Sequence, residues 1–266
     1  MNKIRVKRDK KSQKYGQILG INVLSSSINS LLTGVEENIS CNKKFYIVTP
    51  NPELVLMAQK NKELAIALNS ADYPVPDGVG LAYASKFLSG DNLNIIPGRK
   101  FFEELVQLAA KKHWKVFLLG GLGDEAALAA SKFKIKNSKL KIETVGGPKL
   151  NQNGEPDTKV DIKIQFDVIA QINKFRPVLL FVAFGNPKQE IWIHKNLSKL
   201  KIGGAMAVGG TFRYVAGFSK LPPKWMEKAG LEWLWRLIKE PNRFKRIFNA
   251  FPIFPIKIFW YKLTHL

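Results

Sequence analysis

Short apolar runs alternate along this chain with longer amphipathic stretches, and this alternation constrains the fold more than any other feature. The apolar runs read ILGINV, FYIVTPN, YPVPDG, KVFLLGG, LKIETVGG, PVLLFVAFG and GAMAVGG. Between them lie stretches with helical periodicity, such as PELVLMAQKNKELAIALNSA and FFEELVQLAAKKH. The pattern predicts an α/β fold: a Rossmann-like, mainly parallel sheet with helices on both faces.

Glycine and polar residues follow most of the predicted strands. In open α/β sheets, ligands bind at the carboxyl ends of the strands, where such residues would meet. Glycine lets the backbone approach a ligand closely, and the amides that begin a helix suit phosphate. Glycine-rich turns also serve purely structural ends, so the prediction of a binding site depends on polar residues occurring with them. The strand-end residues are Thr49, Pro50, Asn51, Asp77, Gly78, Gly120, Gly121, Gly123, Gly185, Asn186, Lys188, Gln189, Gly209, Gly210 and Thr211.

The formal net charge of +21 predicts anionic partners, which include nucleic acid, anionic lipid and phosphorylated small molecules. Much of this charge lies at the two ends of the chain, and we expect residues 1–16 to form a disordered basic arm. Cys41 is the only cysteine, which excludes an internal disulfide. The three histidines are too dispersed for a metal site. No cofactor is expected.

From Lys220 onward the sequence becomes basic and aromatic. Five prolines predict that this segment is broken into short helices, none able to span a bilayer. Trp and Phe interleaved with Lys and Arg are typical of a segment that lies in a membrane interface. A helical hairpin packed on the core is the alternative. The predicted organisation is thus an arm (1–16), an α/β core (17–219) and a helical C-terminal appendage (220–266).

Asp77 is the strongest candidate for acid–base chemistry because it stands at a predicted strand end, directly before Gly78. A carboxylate in a cleft acts as a general base when its surroundings tune it. Aspartate is also a common N-cap, and Asp77 could instead cap the helix predicted over VGLAYASKFL. The residues alone leave both roles open.

The segment GLGDEA, residues 121 to 126, matches a dinucleotide-binding fingerprint, with Glu143 at about the expected distance. Asp124 and Glu125, however, would place negative charge where a pyrophosphate lies, which disfavours this alternative. A second alternative is a basic α/β protein that binds nucleic acid. The charge supports it, but no RNP-like aromatic string and no zinc-finger spacing occurs in the sequence.

Several segments resemble, in the same order, those of the WecG/TagA/CpsF glycosyltransferases. They are TPNPELVLMAQ, VPDGVGLAYASK, LLGGLGDEA, VAFGNPKQEIWI and AVGGTFRYVAG, the last followed by PPKWMEKAGLEWLWRLIKEPNRFKRI. The resemblance implies an inverting, metal-independent transfer of N-acetylmannosamine or a related sugar. The implied donor is a UDP-sugar and the implied acceptor is a polyprenyl-diphosphate-linked sugar. The resemblance also implies that the enzyme takes part in bacterial cell-surface polysaccharide synthesis, such as that of teichoic acid. The implied location is the inner face of the membrane.

Carried onto this sequence, the resemblance implies roles for single residues. Asp77 matches the general base, Thr49 and Asn51 match contacts to donor or acceptor, and Gln189 matches the polar residue of the PKQE motif. Arginines of the C-terminal segment are implied to reach the donor diphosphate. The complete set of further predicted substrate-binding residues is Arg99, Gly120, Gly121, Lys188, Gly210, Arg236, Arg243 and Arg246.

The sequence departs from the family pattern at three places. Arg213 stands where the family usually has Asp, and Lys220-Leu221-Pro222 replaces RAP before the tryptophan. In IIPGRKFFEEL, the basic residue Arg99 follows the glycine where the family pattern leads us to expect an acidic residue. These changes bear on the identity of donor and acceptor and leave the predicted fold intact. The expected partners are both substrates and an anionic membrane surface, with a homo-oligomer possible and no nucleic acid.

Overall fold

The computed structural model describes residues 14–228, 232–239 and 244–265. The first element is an antiparallel hairpin of β1 (Lys14–Ile18) and β2 (Ile21–Ser25). Leu19 and Gly20 form its turn, with φ values of 49° and 77°. The single strand predicted over ILGINV is therefore wrong, because the chain reverses at this turn, where glycine tolerates positive φ. Residues 14–16 of the predicted arm belong to β1.

The main sheet has six strands in the spatial order β4-β3-β8-β7-β5-β6, and every neighbouring pair is parallel. This sheet confirms the predicted Rossmann-like α/β fold. The strands are β3 (Phe45–Val48), β4 (Tyr73–Pro74), β5 (Val116–Gly120), β6 (Ile142–Val145), β7 (Leu179–Ala183) and β8 (Gly204–Ala207).

Helices cover both faces of the sheet, so its central strands β3, β5, β7 and β8 are buried along their whole length. Along β3, Tyr46 and Val48 enter one hydrophobic cluster, whereas Phe45 and Ile47 enter the other. The first cluster includes residues of α2 (Pro52–Ala58), α3 (Lys62–Asn69), α4 (Val79–Ser89), α7 (Lys159–Phe175) and α8 (Lys188–Asn196). The second includes residues of α1 (Ile28–Ser40), α5 (Gly98–Lys111), α6 (Glu125–Lys136) and α9 (Thr211–Ala216).

The amphipathic stretch after β3 forms two helices, α2 and α3. Asn51 caps the first, where its side chain accepts a 2.9 Å hydrogen bond from the amide of Leu54. Asn61 caps the second in the same way, through a 3.0 Å bond from the amide of Leu64. Asparagine is a preferred N-cap, so each one begins a new helix.

The C-terminal segment contains α10 (Lys224–Lys228), α11 (Glu232–Lys239) and α12 (Phe244–His265). Pro252 and Pro255 both lie inside α12, so the prediction that these prolines divide the segment is wrong. A proline removes a helical hydrogen bond and crowds the preceding turn. Here Phe254 and Ile258 are buried in the core beside those prolines, and this packing stabilises the helix.

One face of α12 packs against α2 and α4, and its opposite face is exposed and apolar. Phe254 on the packed face lies 4.0 Å from the position that a Cβ atom on Gly80 would take. Ile256, Trp260 and Leu263 on the other face contact solvent. The helix therefore packs on the core, as in the second alternative, and contact of its exposed face with a membrane stays a prediction. Among the described residues, no helix is both long enough and apolar enough to cross a membrane.

Candidate active site

Asp77 lies just beyond β4 and is fixed from two sides. Its amide donates a 2.8 Å hydrogen bond to the carbonyl of Pro50, which follows β3. Its Oδ2 accepts a 3.1 Å hydrogen bond from the amide of Gly98, the first residue of α5. Gly78, not Asp77, is the N-cap of α4, and no side chain caps that helix. The N-cap alternative for Asp77 is therefore wrong, and its carboxylate lies at the start of α5.

Thr49 shares this corner of the sheet because Gly98 has no side chain. A Cβ atom on Gly98 would lie 3.1 Å from Cγ2 of Thr49 and 3.3 Å from Oδ2 of Asp77. The hydroxyl oxygen of Thr49 would be 3.2 Å from that atom. The two predicted site residues thus converge on one point. Sequence reasoning missed Gly98, although the motif IIPGRK contains a glycine directly before the predicted residue Arg99.

Arg99 and Asn51 flank the same corner. Nη1 of Arg99 donates a 3.0 Å hydrogen bond to Oε1 of Glu103, one turn further along α5. Oδ1 of Asn51 is occupied by its capping bond, and its Nδ2 has no hydrogen-bond partner within the part of the chain that the structure describes. Asn51 can therefore offer a donor at the end of β3 while it begins α2.

Gln189 joins the loops that follow β7 and β8. Its side chain is only 2% exposed. Oε1 accepts a 3.0 Å hydrogen bond from the amide of Gly209, and Nε2 donates to Oδ1 of Asn186 (2.8 Å) and to Oε1 of Glu190 (2.7 Å). These bonds occupy the side-chain amide of Gln189 with partners inside the protein, and they hold the two loops together. Contact between Gln189 and a substrate stays a prediction.

Tyr46 connects this brace to β3. Its hydroxyl donates a 3.1 Å hydrogen bond to the carbonyl of Glu190. Burial, with the negative charge of Glu190 as the second cause, raises the pKa of Tyr46 well above its usual value. The phenol therefore remains a neutral hydrogen-bond donor at any physiological pH. The start of α8 is thus held against the centre of the sheet.

Lys188 and Gly210 lie at the same strand ends, and both reach solvent. Lys188 begins α8 and is partly exposed, with no ion pair to its ammonium group among the described residues. Gly210 is exposed at the N-cap of α9. Both positions are open to a ligand, and their contact with one stays a prediction.

The glycines after β5 have a packing role. Gly120 and Gly121 have φ values of 91° and 87°. A Cβ atom on Gly120 would lie 2.8 Å from the carbonyl oxygen of Ala183, to which the amide of Gly121 donates a 3.0 Å hydrogen bond. The close approach of β5 to β7 therefore requires glycine at 120. Binding of substrate by the backbone of this turn stays a prediction.

A carboxylate of the protein itself occupies the turn of the dinucleotide fingerprint. Glu125 is 5% exposed, and its Oε2 accepts a 3.0 Å hydrogen bond from the amide of Leu122. Its Oε1 accepts a 3.1 Å hydrogen bond from Nη1 of Arg213. An anionic pyrophosphate is not favoured beside this buried carboxylate. The dinucleotide alternative is therefore not supported, and Arg213 has an explanation within the protein.

The order of the strands places the residues around Gly98 and the residues around Gln189 at the same end of the sheet, beyond the carboxyl ends of its strands. β8 lies between β3, which Thr49 follows, and β7, which precedes Gln189. The chain leaves β3 and β7 toward one face and leaves β8 toward the other. Such a reversal opens a crevice at the carboxyl ends of the strands. The predicted site residues before residue 220 therefore lie along this edge.

The predicted C-terminal arginines fall outside this description. Arg243 lies outside the described residues, as do the side chains of Arg236 and Arg246. Their role at the diphosphate stays a prediction. Within the described residues, no cluster of three His, Cys, Asp or Glu side chains is arranged to hold a metal ion.

Comparison with known proteins agrees with the motifs. The family described as "Glycosyl transferase WecG/TagA/CpsF family" matches residues 16–266. An N-acetylglucosaminyldiphosphoundecaprenol N-acetyl-beta-D-mannosaminyltransferase of Staphylococcus aureus strain MW2 is 31% identical over 246 residues, or 91% of each chain. The protein of the same name from strain MRSA252 is 32% identical over 248 residues, again 91% of each. The predicted enzyme class is confirmed, and this chain belongs to the WecG/TagA/CpsF family of glycosyltransferases.

Proposed function

We propose that this glycosyltransferase moves N-acetylmannosamine, or a related hexose derivative, from a UDP-sugar to a polyprenyl-diphosphate-linked sugar. The observation that carries the proposal is the convergence of Thr49 and Asp77 on Gly98 at the sheet edge. The names of the two staphylococcal relatives specify an N-acetylmannosaminyl group and an N-acetylglucosaminyl-diphospho-undecaprenol acceptor. Identity of about one third over nearly the whole chain supports a substrate of the same chemical class.

Asp77 acts as the general base in the proposed reaction. Its carboxylate takes the proton of an acceptor hydroxyl while that oxygen attacks the anomeric carbon of the donor. The bond from the anomeric carbon to the diphosphate breaks, and its electron pair leaves with UDP. Attack from the face opposite UDP inverts the anomeric configuration. The bond from the Gly98 amide keeps the carboxylate oriented before the acceptor arrives.

The remaining residues of the edge bind the substrates. Thr49 and Nδ2 of Asn51 are assigned to hydroxyl groups of the sugars. The departing diphosphate gains negative charge, which cations and backbone amides stabilise. The proposal assigns this task to Lys188, to the backbone at Gly210, and to the arginines at 236, 243 and 246. Arg99 is assigned to the acceptor side, since it follows Gly98 at the start of α5.

The enzyme is further proposed to work as a peripheral protein on the inner face of the cell membrane. Support comes from the exposed apolar face of α12, opposite the residues that fix this helix to the core. Trp260 is 61% exposed on that face, and tryptophan favours the bilayer interface. A homo-oligomer stays a prediction.

A donor screen tests the proposal. Purified enzyme is given N-acetylglucosaminyl-diphospho-polyprenol with UDP-N-acetylmannosamine, UDP-N-acetylglucosamine or UDP-glucose, and the lipid product is identified by mass spectrometry. We expect one added N-acetylhexosamine with the first donor and release of equimolar UDP. Thermal shift with UDP, NAD and a short RNA runs in parallel, and UDP alone should stabilise the protein. No transfer from any donor, together with stabilisation by NAD or RNA, would contradict the proposal.

A further inference from the structure

We propose that a cavity between the starts of α1 and α5 binds the diphosphate group of the acceptor. This α1–α5 cavity is lined by residues 26–28, residues 94–97 and Lys100. Its volume of about 310 Å³ lies at the lower end of the range for small-molecule sites. The inference rests on the proposed function, because that function supplies an acceptor with a diphosphate.

Two loops form the walls of the α1–α5 cavity. Residues 26–28 leave β2 and begin α1, whereas residues 94–97 lead into α5. The amide of Asn94 donates a 3.1 Å hydrogen bond to Oγ of Ser25, the last residue of β2. This bond ties one loop to the other, so the two walls are fixed relative to each other.

The α1–α5 cavity is electropositive. Lys100 brings an ammonium group to it, and no ion pair to this group occurs among the described residues. Ile28, the first residue of α1, and Pro97, the N-cap of α5, both line the cavity, so the positive ends of two helix dipoles lie beside it. Neither helix has an acidic residue in its first turn, and none of the described lining residues is Asp or Glu. An anion is therefore the favoured ligand.

A buried hydroxyl group in the wall supports a polar ligand. Ser26 lines the cavity and is only 2% exposed. Within the part of the chain that the structure describes, its hydroxyl makes one hydrogen bond, which it donates to the carbonyl of Ser27 over 3.4 Å. An O–H···O bond usually spans about 2.5–3.0 Å, so this bond is weak. Buried polar groups normally have a partner at ordinary distance, and a phosphate oxygen in the cavity would supply one.

The α1–α5 cavity lies next to the proposed base. The amide of Gly98 donates its 3.1 Å hydrogen bond to Oδ2 of Asp77. Cα of Pro97 is two covalent bonds from that amide nitrogen, so this wall residue comes within about 6 Å of the carboxylate. In the proposed acceptor, one sugar ring carries both the reacting hydroxyl and the diphosphate. When the hydroxyl lies at Asp77, the diphosphate lies one ring away, a distance comparable to that between Asp77 and the wall.

Other classes of ligand fit the α1–α5 cavity less well. Lys100 would repel a divalent cation, which would also find no carboxylate among the described lining residues. A nucleic acid or a folded protein is too large to enter. A neutral sugar would fit the volume, but it would make no use of the ammonium group or of the two helix dipoles.

Calorimetric titration of the full chain with inorganic pyrophosphate tests the inference. The titration is run at low salt with saturating UDP, so that the donor site is filled and the heat reports a second anion site. The test variants are Lys100→Gln and Ser26→Ala. The matched controls are Lys111→Gln, an exposed lysine in the last turn of α5, and Ser85→Ala, a buried serine of α4.

We expect pyrophosphate to bind the natural chain in the presence of UDP. Lys100→Gln should weaken this binding about tenfold and Ser26→Ala about threefold, since a charged contact contributes more than a neutral hydrogen bond, and both controls should stay within about twofold. In transfer assays, Lys100→Gln should raise the KM for the acceptor about tenfold and leave kcat and the KM for the UDP-sugar near their natural values, because a contact made equally in ground state and transition state affects binding alone. Circular dichroism checks that each variant is folded.

Four results would overturn the inference. The first is no pyrophosphate binding once UDP saturates the chain, because any binding without UDP would then belong to the donor site. The second is natural binding by Lys100→Gln, and the third is an equal loss in Lys111→Gln, which would make net charge responsible. The fourth is a natural acceptor KM in Lys100→Gln despite weakened pyrophosphate binding. If the natural chain binds pyrophosphate through Lys100 but transfers no sugar, the proposed function is contradicted and the anion site remains.

Discussion

Arg213 and Glu125 form an ion pair of 3.1 Å that joins the first turn of α9 to the first turn of α6. Glu125 is buried and also accepts the amide hydrogen of Leu122, so it closes the glycine-rich turn after β5. The acidic residue in that turn and the positive charge at 213 therefore compensate each other. Arg213, the residue that departs from the family pattern, thus has a buried acidic partner within this chain.

A double-mutant cycle on this pair measures its coupling. For Glu125→Gln and Arg213→Met we expect a coupling energy of about 1 kcal/mol, because Arg213 remains 41% exposed and water screens its charge. Urea unfolding of the four proteins gives the value. Lys112 and Glu36, an ion pair with both partners well exposed, should give a smaller coupling. Coupling in the Arg213 cycle no larger than in this control would show that the pair does not brace the turn.

Replacement of Gln189 distinguishes between two roles of its side chain. It either holds the two loops together or contacts a substrate. Gln189→Ala leaves the Gly209 amide and one oxygen of buried Glu190 without the bonds that they now make. We expect a loss of about 2–3 kcal/mol in the free energy of unfolding, measured in urea. Gln171→Ala, an exposed glutamine on α7, is the control and should change stability little. Unchanged stability with lost UDP affinity would make Gln189 a ligand residue instead.

Gly98 should be intolerant of even one methyl group. Gly98→Ala would place Cβ 3.1–3.3 Å from Thr49 and Asp77, so both must shift by a few tenths of an ångström. We expect kcat to fall on the order of tenfold, with little change in the unfolding midpoint, because general-base geometry is sensitive to small displacements. Gly146→Ala is the matched control, since a Cβ atom there meets nothing within 4 Å. Full activity of Gly98→Ala would contradict a role of Thr49 and Asp77 in the transfer reaction.

Asp161 should contribute stability that depends on pH. Hydrogen bonds from the hydroxyl of Thr158 (2.6 Å) and from the amide of Lys149 (2.9 Å) lower the pKa of Asp161 below its usual value. A lowered folded-state pKa stabilises the fold above the unfolded pKa of about 3.9, and this stability is lost as pH falls through the folded pKa. Asp161→Asn should therefore lower the urea midpoint at pH ~7, and the difference should shrink below pH ~4. Asp167→Asn, an exposed change on the same helix, is the control. A constant difference at all pH values would contradict this account.

The sequence predicted most of the main sheet because its buried strands are short apolar runs that end in glycine or polar residues. It failed at Leu19 and Gly20, where an apolar run hides a hairpin turn. It also failed at Pro252 and Pro255, since tertiary packing of Phe254 keeps the helix continuous. Local pattern does not reveal such contacts between distant segments.

At the candidate site, the sequence predicted which residues lie at the strand ends better than it predicted which residues they hydrogen-bond. Thr49 and Asp77 converge as strand-end residues should. The bonds of Gln189 to Gly209 and of Glu125 to Arg213 join residues 20 and 88 positions apart, and no local spacing encodes them. Gly98 was missed because its role is to leave room for two side chains from other loops. Residues that act through packing carry the weakest signal in a single sequence.

Single-turnover transfer by Asp77→Asn tests the central claim most directly. The amide variant retains an oxygen that can accept the Gly98 hydrogen bond, so the fold and UDP affinity should remain near those of the natural chain. With the donor identified in the screen and a polyprenyl-diphosphate acceptor, we expect the rate to fall by about 10²–10⁴. Asp167→Asn, as control, should transfer at the natural rate. A folded Asp77→Asn protein that binds UDP and transfers at nearly the natural rate would contradict the assignment of Asp77 as the base.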